Sequence, residues 1–404
     1  MTFDWISGNA ITLLENGDEF FPSMIAAIDD ARKEVLLETF ILCDDPVGQA
    51  LKNALAQAAQ RGVWVSVLVD GYGSHFLPQE YIEFLQTAGV HFEIYHPQPR
   101  WLRVRANIFR RLHRKLVVVD GVTGFIGGIN LAHNQRSDSG PDFKQDYAAR
   151  LHGPIVTSMR RYMHRALQEY KRGYIAFPEV TEPTGREGNV SMRFMVRDNT
   201  QCRTDIEDEY VARVRNARHT IIMANPYFFP GYRLLKGLRD AARRGVKVCV
   251  LIQGKPGSPL AKAGARLLYD YLVESEVNVY EYWERQLHAK IAAFDDDWAT
   301  IGSSNLDPLS LCLNLEANVF VRSAEFNQEV QERIQTLIDH SYVREINSSW
   351  LMRRTLIKGF TSFLVYHFLR HFPGLSGWVP PINSKIPLAP RKGRNAENDM
   401  SDGA

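Results

Sequence analysis

At 404 residues, with 45% hydrophobic and 23% charged side chains, the chain is long enough for two or three domains of about 150 residues each. Its composition excludes a disordered or collagen-like chain and a polytopic membrane protein. The formal charge of +2 conceals two basic segments, since residues 100–115 hold seven Lys and Arg and residues 346–396 hold eight, neither with an acid. Such asymmetry on an otherwise acidic body points to an anionic partner.

The first elements expected lie in residues 31–74, where an apolar, β-branched run is followed by a turn and an amphipathic helix ending AAQRGV. The strand VWVSVLVD, closed by Gly71, comes next. Residues 217–258 repeat the plan, with a helix ending AARRGV and the strand VKVCVLIQ. This is βαβ logic twice. Farther along, LHRKLVVVDGVTGFIGGIN is answered by LHAKIAAFDDDWATIGSSN, 175 positions later. So long a period means a duplicated α/β domain, with mixed or parallel sheets flanked by helices.

The halves are placed at 1–177 and 190–346, joined by the Pro-, Gly- and acid-rich linker 178–189. Residues 325–345 read as a surface helix closing the second half. Residues 347–380 form a basic, aromatic segment whose longest uncharged stretch, Gly359 to Leu369, is too short to span a bilayer. Residues 381–404 read as a disordered tail. The start MTFDWISGNA has an early acid and no apolar run, so no secretory signal is expected. The four cysteines, Cys43, Cys202, Cys249 and Cys312, form no CxxC pair. Neither a disulfide framework nor a zinc knuckle is indicated, which fits a reducing compartment.

Each half carries the octet H-x-K-x-x-x-x-D, as His113, Lys115, Asp120 and as His288, Lys290, Asp295. In an extended strand, residues two apart share a face, so His and Lys emerge together while Arg114 or Ala289 points away. An imidazole can attack a phosphorus or move a proton, and an ammonium can bind a phosphate oxygen. Seventeen residues after each His stands an Asn, Asn130 in GGIN and Asn305 in GSSN. Each side-chain amide can donate to a phosphate. A carboxylate follows in each half, Asp146 and Glu316, suited to fixing an imidazole tautomer. One such octet is a common accident at a strand end, but two with matched followers are not. The motif aspartates count with the catalytic set, although an Asp ending an apolar strand reads as a turn or capping residue. A metal site is disfavoured because a Lys stands two residues from each His and supplies the positive charge.

These residues resemble the phospholipase D superfamily, whose defining motif is the duplicated H-x-K-x-x-x-x-D with trailing G-[GS]-x-N. The likeness runs from about residue 8 to 375. Within that superfamily the chain is similar to the bacterial cardiolipin synthases, and stretches such as DGYGS, IFRRLHRK, NPYFFPGYR and HFLRHFPGL look like the B subfamily. That subfamily lacks the two N-terminal transmembrane helices of the major synthase, which are not seen in this sequence either. The resemblance implies a pseudo-twofold bilobal α/β fold with one active site between the halves and a phosphohistidine intermediate. It assigns attack to His113 and leaving-group protonation to His288. Lys115, Lys290, Asn130 and Asn305 would clamp the phosphate, with Ser303 and Ser304 beside it. Asp146 and Glu316 would each orient the imidazole of the opposite half. One departure stands out: Ser304 has no hydroxyl counterpart at Ile129.

The implied activity is transfer of a phosphatidyl group from phosphatidylglycerol or phosphatidylethanolamine to phosphatidylglycerol, giving cardiolipin without a cofactor. The rival is a phosphodiesterase or nuclease of the same superfamily, with water as acceptor, and a pseudoenzyme binding anionic lipid is a third reading. Trp101, Arg103, Arg105, Phe109, Arg110 and Arg111 are expected to contact anionic headgroups. Lipid and nucleic acid would attract these charges alike, but the aromatic segment 350–379 suits an interfacial helix and favours lipid. The expected setting is peripheral, on the cytoplasmic face of the bacterial inner membrane, with no nucleic acid partner.

Overall fold

The computed structural model describes residues 3–97, 100–101, 104–105, 110–141, 143–171, 175–180, 185–255, 268–269, 271–340, 343–346 and 364. The C-terminal basic segment and tail, apart from residue 364, therefore lie outside the described residues, as do Arg103 and Phe109. Trp101 and Arg105 are described only as members of a two-stranded ladder, Arg100–Trp101 with Val104–Arg105.

The two expected sheets join edge to edge into one of fifteen strands. At its centre Ile6–Glu15 pairs antiparallel with Val190–Arg197, with a register shift between Ile6 and Asn9. Outward from Ile6–Glu15 run Tyr147–His152, Thr123–Gly127, Leu116–Val119, Glu34–Thr39, Trp64–Asp70 and His91–Tyr95. Outward from Val190–Arg197 run Glu316–Arg322, Trp298–Gly302, Ile291–Phe294, Thr220–Ala224, Lys247–Gln253 and Asn278–Tyr282. The same order appears on both sides of an antiparallel pair, so a pseudo-twofold axis passes between the central strands. Glu34–Thr39, Trp64–Asp70 and His91–Tyr95 are parallel to one another, as are Thr220–Ala224, Lys247–Gln253 and Asn278–Tyr282.

The crossover helices form where the sequence places them. In Pro46–Gln60, Asp45 caps the N-terminus by accepting from Gly48 N at 3.0 Å, and Pro46 occupies the first turn. Leu51, Ala54, Leu55 and Ala58 recur at helical spacing and are buried. Gly62, at φ 86°, ends the element. Tyr232–Arg243 repeats this with Leu234, Leu235, Leu238 and Ala241, ending before Gly245 at φ 89°.

Three large apolar clusters hold the layers together. Two cover the outer faces, one under each half's crossover helices. The third runs across the seam beneath Ile155–Lys171 and Ala324–Asp339. Phe326, Val330, Ile334 and Leu337 are buried in it, so the helix expected on the surface at 325–345 is a core element. It also stops at Asp339. Residues Val343–Ile346 instead add an antiparallel edge strand to Asn278–Tyr282. Between Lys171 and Val190 the described residues form no regular element, yet they are packed: Phe177 stacks on His164 at 3.6 Å and Glu187 N donates to Gly8 O at 2.9 Å.

Candidate active site

Two very short parallel ladders bring the halves together. Gln286–Leu287 pairs with Lys144–Gln145, and Leu112 bridges Leu315. His288 N donates to Gln145 O at 2.7 Å and His113 N to Leu315 O at 2.9 Å. The next residues in register are the carboxylates. His288 Nδ1 therefore meets Asp146 Oδ2 at 2.5 Å, and His113 Nδ1 meets Glu316 Oε2 at 3.0 Å. Each imidazole is held by the opposite half, and its Nε2 remains for chemistry. Both histidines line one cavity of about 240 Å³ with Phe40, Asn130, Lys144, Tyr227 and Asn305.

Arg114, between His113 and Lys115, turns to the other face, where it donates to Glu38 Oε2 and the Tyr162 hydroxyl, each at 2.7 Å. Lys115 Nζ donates to His113 O at 2.8 Å, and Lys290 Nζ donates to His288 O. Burial dominates the electrostatics. It lowers Lys115 to about 7 and Lys290 to about 8, against the pull of Glu316 and Asp146. It also lowers both imidazoles, and His288 falls furthest because Lys290, Lys144 and Lys115 all oppose its protonation.

The carboxylates differ. Burial raises Asp146 to about 6 in spite of Lys290 and the Tyr147 N–H. For Glu316 the same penalty is outweighed by His113, Lys115 and the Ser303 hydroxyl, so its carboxyl sits below the ordinary value. Ser303 Oγ donates to Glu316 Oε2 at 2.5 Å. The equivalent position in the first half is Gly128, where a Cβ would lie 2.4 Å from Asp146 Oδ1. The GG and GS of the two motifs are thus fitted to different carboxylates. Beyond them, the buried Oδ1 atoms of Asn130 and Asn305 have no hydrogen-bond partner among the described residues.

Several expectations need correction. Asp120 and Asp295 are not at the cavity. Asp120, at φ 52°, accepts from the backbone N–H groups of Arg32, Lys33 and Glu34 at 2.7–2.8 Å. Asp295, at φ 47°, accepts from Arg218, His219 and Thr220 at 2.7–3.1 Å. Each clamps the start of a neighbouring strand. Ser303 Oγ is turned to Glu316, while Ser304 Oγ is buried without a hydrogen-bond partner among the described residues. Arg111, expected among headgroups, is 6% exposed with its guanidinium 4.0 Å above the Tyr72 ring. Its backbone O accepts from Leu315 N at 2.8 Å, so it belongs to the ladder that sets His113 against Glu316.

Some site residues escaped the sequence reading. Lys144 stands two residues before Asp146, and that period of two was the available signal. Arg197 is buried and donates to the carbonyls of Cys312 and Asn314, the latter at 2.6 Å, holding the loop that presents Glu316. A lone Arg ending a strand gave no such hint.

Comparison with known proteins places this geometry. The family model described as "Cardiolipin synthase, PLD-like domain" matches residues 24–148 and again 210–338. The chain belongs to this family. It is 48% identical over 392 residues to cardiolipin synthase B of Salmonella typhimurium, covering 96% of this chain and 95% of that one. It is 47% identical over 388 residues to cardiolipin synthase B of Escherichia coli K12, covering 96% and 94%. Among solved structures, phosphatidylserine synthase of Haemophilus influenzae Rd KW20 shares the fold, with a TM-score of 0.64 at 15% identity over 91% of this chain and 94% of that one. The cardiolipin synthase family's duplicated domain is therefore the one whose halves exchange carboxylates here.

Proposed function

We propose that this protein is a cardiolipin synthase that moves a phosphatidyl group between two lipids through His113. Nε2 of His113 attacks the phosphorus of a phosphatidylglycerol or phosphatidylethanolamine donor. The P–N bond forms as the P–O bond to the headgroup breaks, and His288 gives its proton to the departing oxygen. A hydroxyl of a second phosphatidylglycerol then gives its proton to His288 and attacks, forming a P–O bond as the P–N bond breaks. Cardiolipin leaves with the enzyme restored.

The observation that carries this reading is the pair of cross-half imidazole–carboxylate contacts around one cavity, with membership in the family beside it. The choice of His113 as nucleophile is supported by its partner. Glu316, ionised and held by Ser303, can stabilise the positive charge that builds on a phosphorylated imidazole, whereas Asp146 is raised to about 6. Lys115, Lys290, Asn130 and Asn305 hold the phosphate oxygens. Burial and then the lysines lower His288, and the substrate's negative charge offsets the lysines, so His288 can carry a proton in the first step and accept one in the second.

The basic segment 100–112 and residues 350–379 would hold the protein on an anionic bilayer, at the cytoplasmic face. Among the described residues no helix is long and apolar enough to cross a membrane. The test is incubation with phosphatidylglycerol vesicles and mass spectrometry of the products. Cardiolipin and glycerol in equal amounts are expected. Phosphatidic acid as the sole product would overturn transfer in favour of hydrolysis.

A further inference from the structure

One lysine among the described residues, Lys144, lines the cavity and has no lysine counterpart across the pseudo-twofold axis. Lys144 lies on the strand Lys144–Gln145, two residues before Asp146. Its side chain therefore leaves the backbone on the same face as that carboxylate. It lines the cavity with His113, His288 and both asparagines. Among the described residues it makes no hydrogen bond or ion pair, while its nearest acid, Asp146, is engaged by His288. The equivalent position in the second half is Asn314, whose Oδ1 is turned to Arg111 N at 3.2 Å.

In the proposed reaction Lys115, Lys290, Asn130 and Asn305, shared evenly between the halves, hold the reacting phosphate. Lys144 adds a positive charge on one side only. In the donor step nothing else is negative, since the departing glycerol is neutral and ethanolamine is cationic. The acceptor phosphatidylglycerol, in contrast, brings a phosphodiester of its own, one glycerol away from the hydroxyl that attacks. A cavity of about 240 Å³ is below the usual range for a drug-sized ligand. It suits a glycerol bridging two phosphates, with the acyl chains outside.

We infer that Lys144 is the core of a second phosphodiester subsite, which holds the acceptor lipid and selects phosphatidylglycerol over neutral alcohols. Burial lowers the Lys144 ammonium, and a bound anion would raise it again. The inference rests on the reading that phosphatidylglycerol is the acceptor.

The test gives one phosphohistidine two acceptors. The full-length protein is supplied with phosphatidylglycerol in detergent micelles and tritiated glycerol. Cardiolipin reports transfer to the lipid acceptor, and tritiated phosphatidylglycerol reports transfer to the neutral one. In Lys144→Gln the ratio of cardiolipin to tritiated phosphatidylglycerol is expected to fall about tenfold or more, the effect of losing one charge-assisted contact. Lys144→Arg should keep most of the ratio. An unchanged ratio in Lys144→Gln, including a parallel fall of both products, overturns the subsite alone. A wild-type protein that yields only phosphatidic acid overturns the function reading and the subsite with it.

Discussion

Gly128 and Ser303 occupy equivalent places in the two halves, and what stands there governs the carboxylate next to each imidazole. Replacing Ser303 by Ala removes a hydrogen bond to a buried charge, a loss of about 1.5–3 kcal/mol. Turnover should drop about tenfold or more in steady-state cardiolipin assays, and Glu316→Gln should cost considerably more, on the order of 10²–10⁴. Full activity in Ser303→Ala would remove Ser303 from the positioning of Glu316. The lysines give a second prediction. Lys115 at about 7 and Lys290 at about 8 lie below their ordinary values, and a bound anion raises them again. Inorganic phosphate binding near pH 8 should therefore take up roughly one proton, seen by calorimetry in buffers of different ionisation enthalpy. Uptake should fade below pH 6, where both lysines are already charged, and proton release at pH 8 would contradict the scheme. By the same sign, the penalty of two buried ammoniums on the fold is full below about pH 7 and is relieved as pH rises toward the unfolded value of about 10.5. The lysines, histidines and asparagines were legible in the sequence because they recur at one spacing, and the carboxylates because one follows in each half, though at different distances. Ser303's true partner was not, because a Gly and a Ser in a turn look interchangeable until each is set against its acid.

Among the elements, the motif aspartates join strands that are distant in sequence. Asp120 reaches residues 32–34 and Asp295 reaches residues 218–220. Asp295→Asn keeps one acceptor oxygen and an αL-tolerant residue, whereas Asp295→Ala leaves several N–H groups unmet at positive φ. Thermal unfolding should show a loss of about 1–3 kcal/mol for Asn and more for Ala, with turnover at low temperature retained by the folded protein. A strong loss of turnover without a loss of stability would return Asp295 to the chemistry. The βαβ units were plain from β-branched runs and glycine stops. The ladders at 144–145 and 286–287 were invisible, since two residues carry no periodicity. The closing helix was misjudged for a related reason: its buried stripe faces both halves, and the strand after it begins within four residues of its end.

At the scale of the whole molecule, one sheet, one seam and two exchanged carboxylates join the halves around one cavity. The proposed membrane attachment would be carried most by charge. Screening acts over about 8 Å at physiological ionic strength, so salt should weaken but not abolish binding to phosphatidylglycerol vesicles if aromatic burial shares the load. Arg103→Ser with Arg105→Ser should remove the salt-sensitive fraction in cosedimentation, and unchanged salt dependence would take that segment off the membrane. Arg111 is kept in place there, because it supports the His113 ladder. The central claim is that the two halves build one site that hands a phosphatidyl group from His113 to a second lipid. The most direct measurement is rapid quenching with phosphorus-labelled phosphatidylglycerol, followed by a chase with unlabelled lipid. The account predicts an acid-labile, base-stable phosphohistidine on His113 that disappears into cardiolipin during the chase. Label on His288 alone, or label that leaves only as phosphatidic acid, would contradict it.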